Sequence, residues 1–107
     1  MTSKQYENLV AKVFEKKGYD TKVPSRTRDY GVSFIAEKEG KSLAIQVKKY
    51  NDDTQVSYQD VMLLFAGKHY LDCDYALLVT NNSLMPEAVE VAEKLHVKFY
   101  ENWMPKE

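Results

Sequence analysis

Little in this chain would staple it, break it or anchor it. Cys73 is the only cysteine among 107 residues, which excludes an internal disulfide. His69 and His96 are the only histidines, and their spacing with Cys73 excludes the usual zinc motifs. No apolar run approaches the roughly 20 residues needed to span a bilayer, and no signal-peptide pattern opens the sequence. A reducing, cytoplasmic setting is therefore the expectation. Repeats, low-complexity tracts and internal linkers are absent as well, so one domain over residues 1–107 is expected.

Net charge is also nearly absent, at −1, and by itself offers a polyanion nothing. Its distribution is uneven. Residues 1–50 hold 11 Lys/Arg against 6 Asp/Glu, and residues 51–107 hold 4 against 10. A basic first half can attract a polyanion while the whole chain stays mildly acidic. Two solvated faces of opposite sign are the simpler reading of the same numbers. The chain is otherwise of ordinary globular composition, 44% hydrophobic and 29% charged.

Tyr6, Leu9, Val10, Val13 and Phe14 recur at helical spacing, predicting a helix over residues 3–17 capped by Thr2 or Ser3 and stopped by Gly18. Residues 19–23 predict a short strand ended by Pro24, and residues 25–29 a basic loop. Residues 30–38 and 41–50 predict two strands joined at Glu39-Gly40 as an antiparallel hairpin. Ser57 to Asp60 fits a capping box before a helix over 58–70. That helix is apolar from Val61 to Ala66, which predicts burial on all sides, one of them against another subunit. Residues 75–80 (YALLVT) read as a strand covered on both faces. Pro86 opens a last helix to residue 96, and residues 97–100 close the chain with a strand. The order α-β-β-β-α-β-α-β predicts an α/β fold with helices packed on a central mixed sheet.

Three polar residues interrupt the hairpin: Ser33 in the first strand, Gln46 and Lys48 in the second. Alternation puts Gln46, Lys48 and Tyr50 on one face and Leu43, Ile45, Val47 and Lys49 on the other. Burying Gln and Lys without partners costs on the order of several kcal/mol. A site for phosphodiester hydrolysis would explain them. That chemistry uses a divalent ion on the nonbridging oxygens and a cation beside the attacking water.

The pieces Tyr6-Glu7, Gly18-Tyr19, Asp29 to Ile35 (DYGVSFI) and Gln46-Val47-Lys48, followed by YALLVTNN, are arranged in a known way. The chain resembles Mrr-type restriction endonuclease domains of the PD-(D/E)xK nuclease superfamily, which also holds archaeal Holliday junction resolvases. The resemblance covers nearly the whole chain. It implies a restriction-endonuclease-like fold and a Mg²⁺- or Mn²⁺-dependent DNA endonuclease. Lys48 would orient or deprotonate water. Glu7, Gln46 and the Val47 carbonyl would hold the metal, with Asp29 as a further candidate.

Ser33 departs from that pattern, because the family's essential aspartate belongs at its position. The site is therefore expected to be weakened or inactive. Three readings stand: an introduced substitution, a natural loss that leaves a DNA-binding or oligomerising homologue with a regulatory role, or replacement by Asp29. A small interaction domain in which Gln46 and Lys48 serve a protein partner is the alternative outside nucleic acid. Arg26, Arg28, Lys22 and Lys49 are the expected phosphate contacts. Asn81 and Asn82 would add hydrogen bonds there, or simply shape a turn. Relatives of this kind often pair so that two sites meet two strands, so a homodimer is expected.

Overall fold

The structure is a computed structural model that describes residues 1–24 and 30–105. Helix α1 (Ser3–Lys16) begins at a capping box. The Thr2 hydroxyl accepts the Gln5 N–H at 3.1 Å, and Gln5 Oε1 accepts the Thr2 N–H at 2.7 Å. Strands β1 (Asp20–Lys22), β2 (Phe34–Lys38) and β3 (Lys41–Lys48) form an antiparallel meander. Helix α2 (Tyr58–Tyr70), strand β4 (Tyr75–Thr80), helix α3 (Pro86–Lys94) and strand β5 (Lys98–Tyr100) follow. The sheet order is β1-β2-β3-β4-β5, with β3, β4 and β5 parallel. The mixed α/β fold and its element order are those expected from the sequence.

The layering follows from connection handedness. Parallel crossovers are almost always right-handed. Two of them stepping the same way across a sheet place both helices on one face. Accordingly α2 and α3 cover one face, packing with Val32, Ile35, Ala44 and Leu78. Helix α1 covers the other, where Tyr6, Val10 and Phe14 meet Phe34, Ile45, Leu77 and Val79. Strand β4 is thus covered twice, and Ala76 to Thr80 are all buried.

The hairpin is shorter than expected, and β3 ends at Lys48 and not at Tyr50. Strand β2 starts at Phe34 and not at Tyr30, because Tyr30 (φ 53°) and Gly31 (φ 75°) lie in the left-handed region, where a ladder cannot continue. Helix α2 is not covered all round by this chain. Val61, Leu64 and Gly67 are buried, whereas Met62 and Leu63 stay 47% and 54% exposed. One structural unit has one inner stripe to offer, and six consecutive apolar residues overfill it. Among the described residues no helix is long and apolar enough to cross a membrane.

Candidate active site

The hairpin brings Ser33 and Gln46 together. The Ser33 N–H donates to the Ile45 carbonyl at 2.7 Å, adding one rung beyond the formal end of β2. That rung carries the hydroxyl across β3. There Ser33 Oγ accepts the Val47 N–H at 2.9 Å and donates to Gln46 Oε1 at 3.2 Å. A serine hydroxyl has one proton to give. Here that proton goes to the Gln46 side-chain oxygen.

The loop before Ser33 is locked by a close approach to α2. A side chain at Gly67 would place its Cβ 2.1 Å from the Tyr30 carbonyl oxygen, and one at Gly31 would lie 2.6 Å from Leu63 Cγ. The Tyr30 and Tyr70 rings meet beside it at a tilt of 38°, with centroids 4.5 Å apart. Glycine at both positions lets the backbone descend onto the helix and fixes where Ser33 enters the sheet.

Lys48 ends β3 on the α2 side, opposite Thr80 of β4. Its ammonium lies 3.4 Å from Asp60 Oδ1, both side chains being half-buried. Sequence reasoning saw Asp60 only as the acidic end of a capping box. It does cap α2, since Asp60 Oδ2 accepts the Ser57 N–H at 3.4 Å while the Ser57 hydroxyl accepts the Asp60 N–H at 3.4 Å. Its other oxygen serves Lys48, and no spacing rule would have found that. Tyr50 follows on the same face. Burial pushes its phenol up, and the nearby Asp60 and Asp52 carboxylates push it further. The predicted shared face of Gln46, Lys48 and Tyr50 is thus the α2 face.

Glu7 lies on α1 beside Phe34, the residue after Ser33. It lines a groove between α1 and β1 together with Lys22 and Phe34, and pairs with Lys4 at 3.7 Å. Among the described residues it makes no hydrogen bond or ion pair with Ser33, Gln46 or Lys48. Lys22 is paired with Glu37 at 2.7 Å, and that carboxylate, by hydrogen bond and charge, raises the ammonium's pKa. Lys49 donates to Asn51 Oδ1. Asn81 is built into the frame: its Oδ1 accepts the Tyr50 N–H at 2.8 Å and its Nδ2 donates to the Tyr50 carbonyl at 2.7 Å. Asn82 likewise donates to the Thr54 carbonyl at 2.9 Å. Arg26, Arg28 and Asp29 lie outside the described residues.

Among the described residues this donor set does not fit a tightly held divalent ion. Mg²⁺ wants anionic oxygen at near-octahedral positions. Among the described residues no cluster of three acidic, His or Cys side chains is present. Ser33 and Gln46 offer two neutral oxygens already hydrogen-bonded to each other. Of the expected ligands, the Val47 backbone also lies here, its N–H held by Ser33. The carboxylate closest to Lys48, Asp60, is held by that lysine and by the helix cap.

The Mrr_cat family model, described as a restriction endonuclease, matches residues 1–101. The chain belongs to this restriction endonuclease family. No curated protein matches it. Among solved structures, the protein of unknown function AF1548 matches at TM-score 0.74 and 20% identity, over 87% of this chain and 54% of that one. EndoMS in its apo form matches at TM-score 0.64 and 16% identity, over 94% and 47%. The MspJI restriction endonuclease, in complex with a 27-mer oligonucleotide, matches at TM-score 0.56 and 18% identity, over 89% and 23%. At these identities the likeness is one of fold. The chain spans about half the length of AF1548 and EndoMS.

Proposed function

We propose that residues 1–107 form one DNA-binding restriction endonuclease domain whose phosphodiester-cleaving site is weakened or silenced by Ser33. The observation that carries this reading is the closed hydrogen bond between Ser33 and Gln46. A carboxylate at position 33 could accept the Val47 N–H with one oxygen and present the other, charged, to an ion. The serine satisfies the same N–H and then ends the network on a neutral amide. No metal-assisted step is therefore assigned to this chain as it stands.

Its own residues retain a binding role. Lys48 can exchange Asp60 for a phosphate oxygen, since both are anionic acceptors and the pair is not fully buried. Lys22, Lys49, Arg26 and Arg28 would add phosphate contacts that set position and not sequence. Family membership supports DNA as the partner, and the MspJI relative was solved with an oligonucleotide. Half-exposed Met62 and Leu63 on α2 supply an apolar surface for a homodimer. The second reading, a silent regulatory homologue that binds DNA without cutting, rests on the same neutral pair and differs only in residual activity.

The test is plasmid cleavage with Mg²⁺ or Mn²⁺. The native chain is expected to cut slowly or not at all. Ser33→Asp is expected to cut, and Ser33→Asp with Lys48→Ala to lose that cutting. Binding of duplex DNA by neither the native chain nor Ser33→Asp would end the nucleic-acid reading.

A further inference from the structure

The α1 face of the sheet is only half covered, and what remains open is basic and aromatic. Two helices cover the opposite face, whereas here α1 lies over β2, β3 and the inner side of β4, with Trp103 of the C-terminal tail packed on the same cluster. Beyond its C-terminal end runs a groove of about 440 Å³ between Lys17, the β2–β3 turn and the β4–β5 edge. Its floor is Leu43 and Leu77. Lys17, Lys38, Lys41 and Lys98 line it, against one carboxylate, Glu39. Among the described residues Lys17, Lys41 and Lys98 form no side-chain ion pair. Lys38 is held in place, donating to the Lys17 carbonyl at 2.7 Å with its ammonium 5.4 Å from the Tyr19 ring centre.

Tyr75 and Tyr100 also line it, 50% and 43% exposed, the Tyr100 ring with its centroid 5.8 Å from that of Trp103. Large aromatic rings left half in water beside a row of lysines, of which Lys41 also feels the Asp74 carboxylate, suit a ligand that alternates charge and flat apolar surface. A nucleic acid strand has that alternation, and such platforms combine phosphate-binding lysines with rings that stack on bases. Duplex DNA keeps its bases stacked inward, so the tyrosines favour a single strand.

The groove is separate from the Ser33–Gln46 pair. Leu43 and Lys48 are five residues apart on β3, about 17 Å at the rise of a strand. They also lie at opposite ends of the strand, with the groove on the α1 face and Lys48 on the α2 face.

We infer that this groove binds a single-stranded segment of nucleic acid, its lysines taking the phosphates and Tyr75 and Tyr100 taking the bases. The site needs no catalysis and no metal, so it does not rest on the cleavage reading. The probe is a fluorescent oligothymidylate of about 12 nucleotides, followed by anisotropy over a range of salt. Lys41→Glu with Lys98→Glu is expected to weaken binding at least tenfold and to lower the salt slope by about 0.7 for each phosphate no longer neutralised. Tyr75→Ala with Tyr100→Ala is expected to weaken it about tenfold with the salt slope kept. Far-UV circular dichroism confirms folding of each variant, and the exposed positions make folding the expectation. Lys48→Ala is expected to leave this binding unchanged while weakening duplex binding. Unchanged oligothymidylate affinity in both groove variants overturns the inference. Thymidine monophosphate binding as tightly as the oligonucleotide also overturns it, because the groove would then be a free-nucleotide site.

Discussion

Ser33 and Gln46 hold each other: the serine hydroxyl donates to the glutamine carbonyl at 3.2 Å while it accepts the Val47 N–H at 2.9 Å. Both bonds depend on one oxygen. Ser33→Ala leaves the Val47 N–H and the Gln46 carbonyl without that partner in a half-buried setting. An unsatisfied group of this kind costs about 1–3 kcal/mol. Urea unfolding should show a drop in that range with an unchanged m-value.

Lys48 and Asp60 form the second relationship, and it sets affinity. Asp60→Asn removes the charge that competes with phosphate for the lysine ammonium. Duplex DNA should bind several-fold more tightly at low salt, with the gain fading as salt rises. The same change weakens the carboxylate side of the α2 cap, costing about 0.5–1 kcal/mol. Anisotropy and thermal melting of the one variant should therefore move in opposite directions.

Gly67 tests how the Ser33 loop is held. A methyl group there would sit 2.1 Å from the Tyr30 carbonyl oxygen, which is backbone and cannot turn aside. Gly67→Ala should cost about 1–3 kcal/mol, the usual range for an overpacked contact, although alanine is the better helix former. A neutral or stabilising result in denaturant unfolding would show that the loop does not rest on α2.

Tyr6 gives a pH signature. Its phenol is buried under the C-terminal tail, donates to the Trp103 carbonyl, and is pushed up to about 12 by burial. The unfolded phenol titrates at the ordinary 10.0. The folded state thus favours the protonated form, so this contribution is complete below pH 10 and lost as pH rises through 12. Thermal midpoints taken from about pH 9 upward should fall less steeply for Tyr6→Phe than for the native chain.

Much of this fold was legible because its signals are local. The run from Tyr75 to Thr80 has no polar face and became the doubly covered strand β4. The Ser57 capping box opened α2 where expected. The period of two placed Gln46 and Lys48 on one face, and the short Glu39-Gly40 turn placed Ser33 beside Gln46. What was not legible depends on contacts distant in sequence. Asp60 looked like a cap and is also the partner of Lys48. Asn81 looked like a turn residue or a phosphate donor, and its amide clasps the Tyr50 backbone across 31 positions. Glu7 follows Tyr6 by one residue, about 100° round α1 from the buried stripe, as the helical period placed it.

The most direct measurement is Mn²⁺ binding followed by electron paramagnetic resonance, on the native chain and on Ser33→Asp. The Ser33–Gln46 pair predicts weak binding to the native chain and at least tenfold tighter binding to the variant. Equal, tight binding by the native chain would contradict it, because the neutral pair would then suffice to hold the ion.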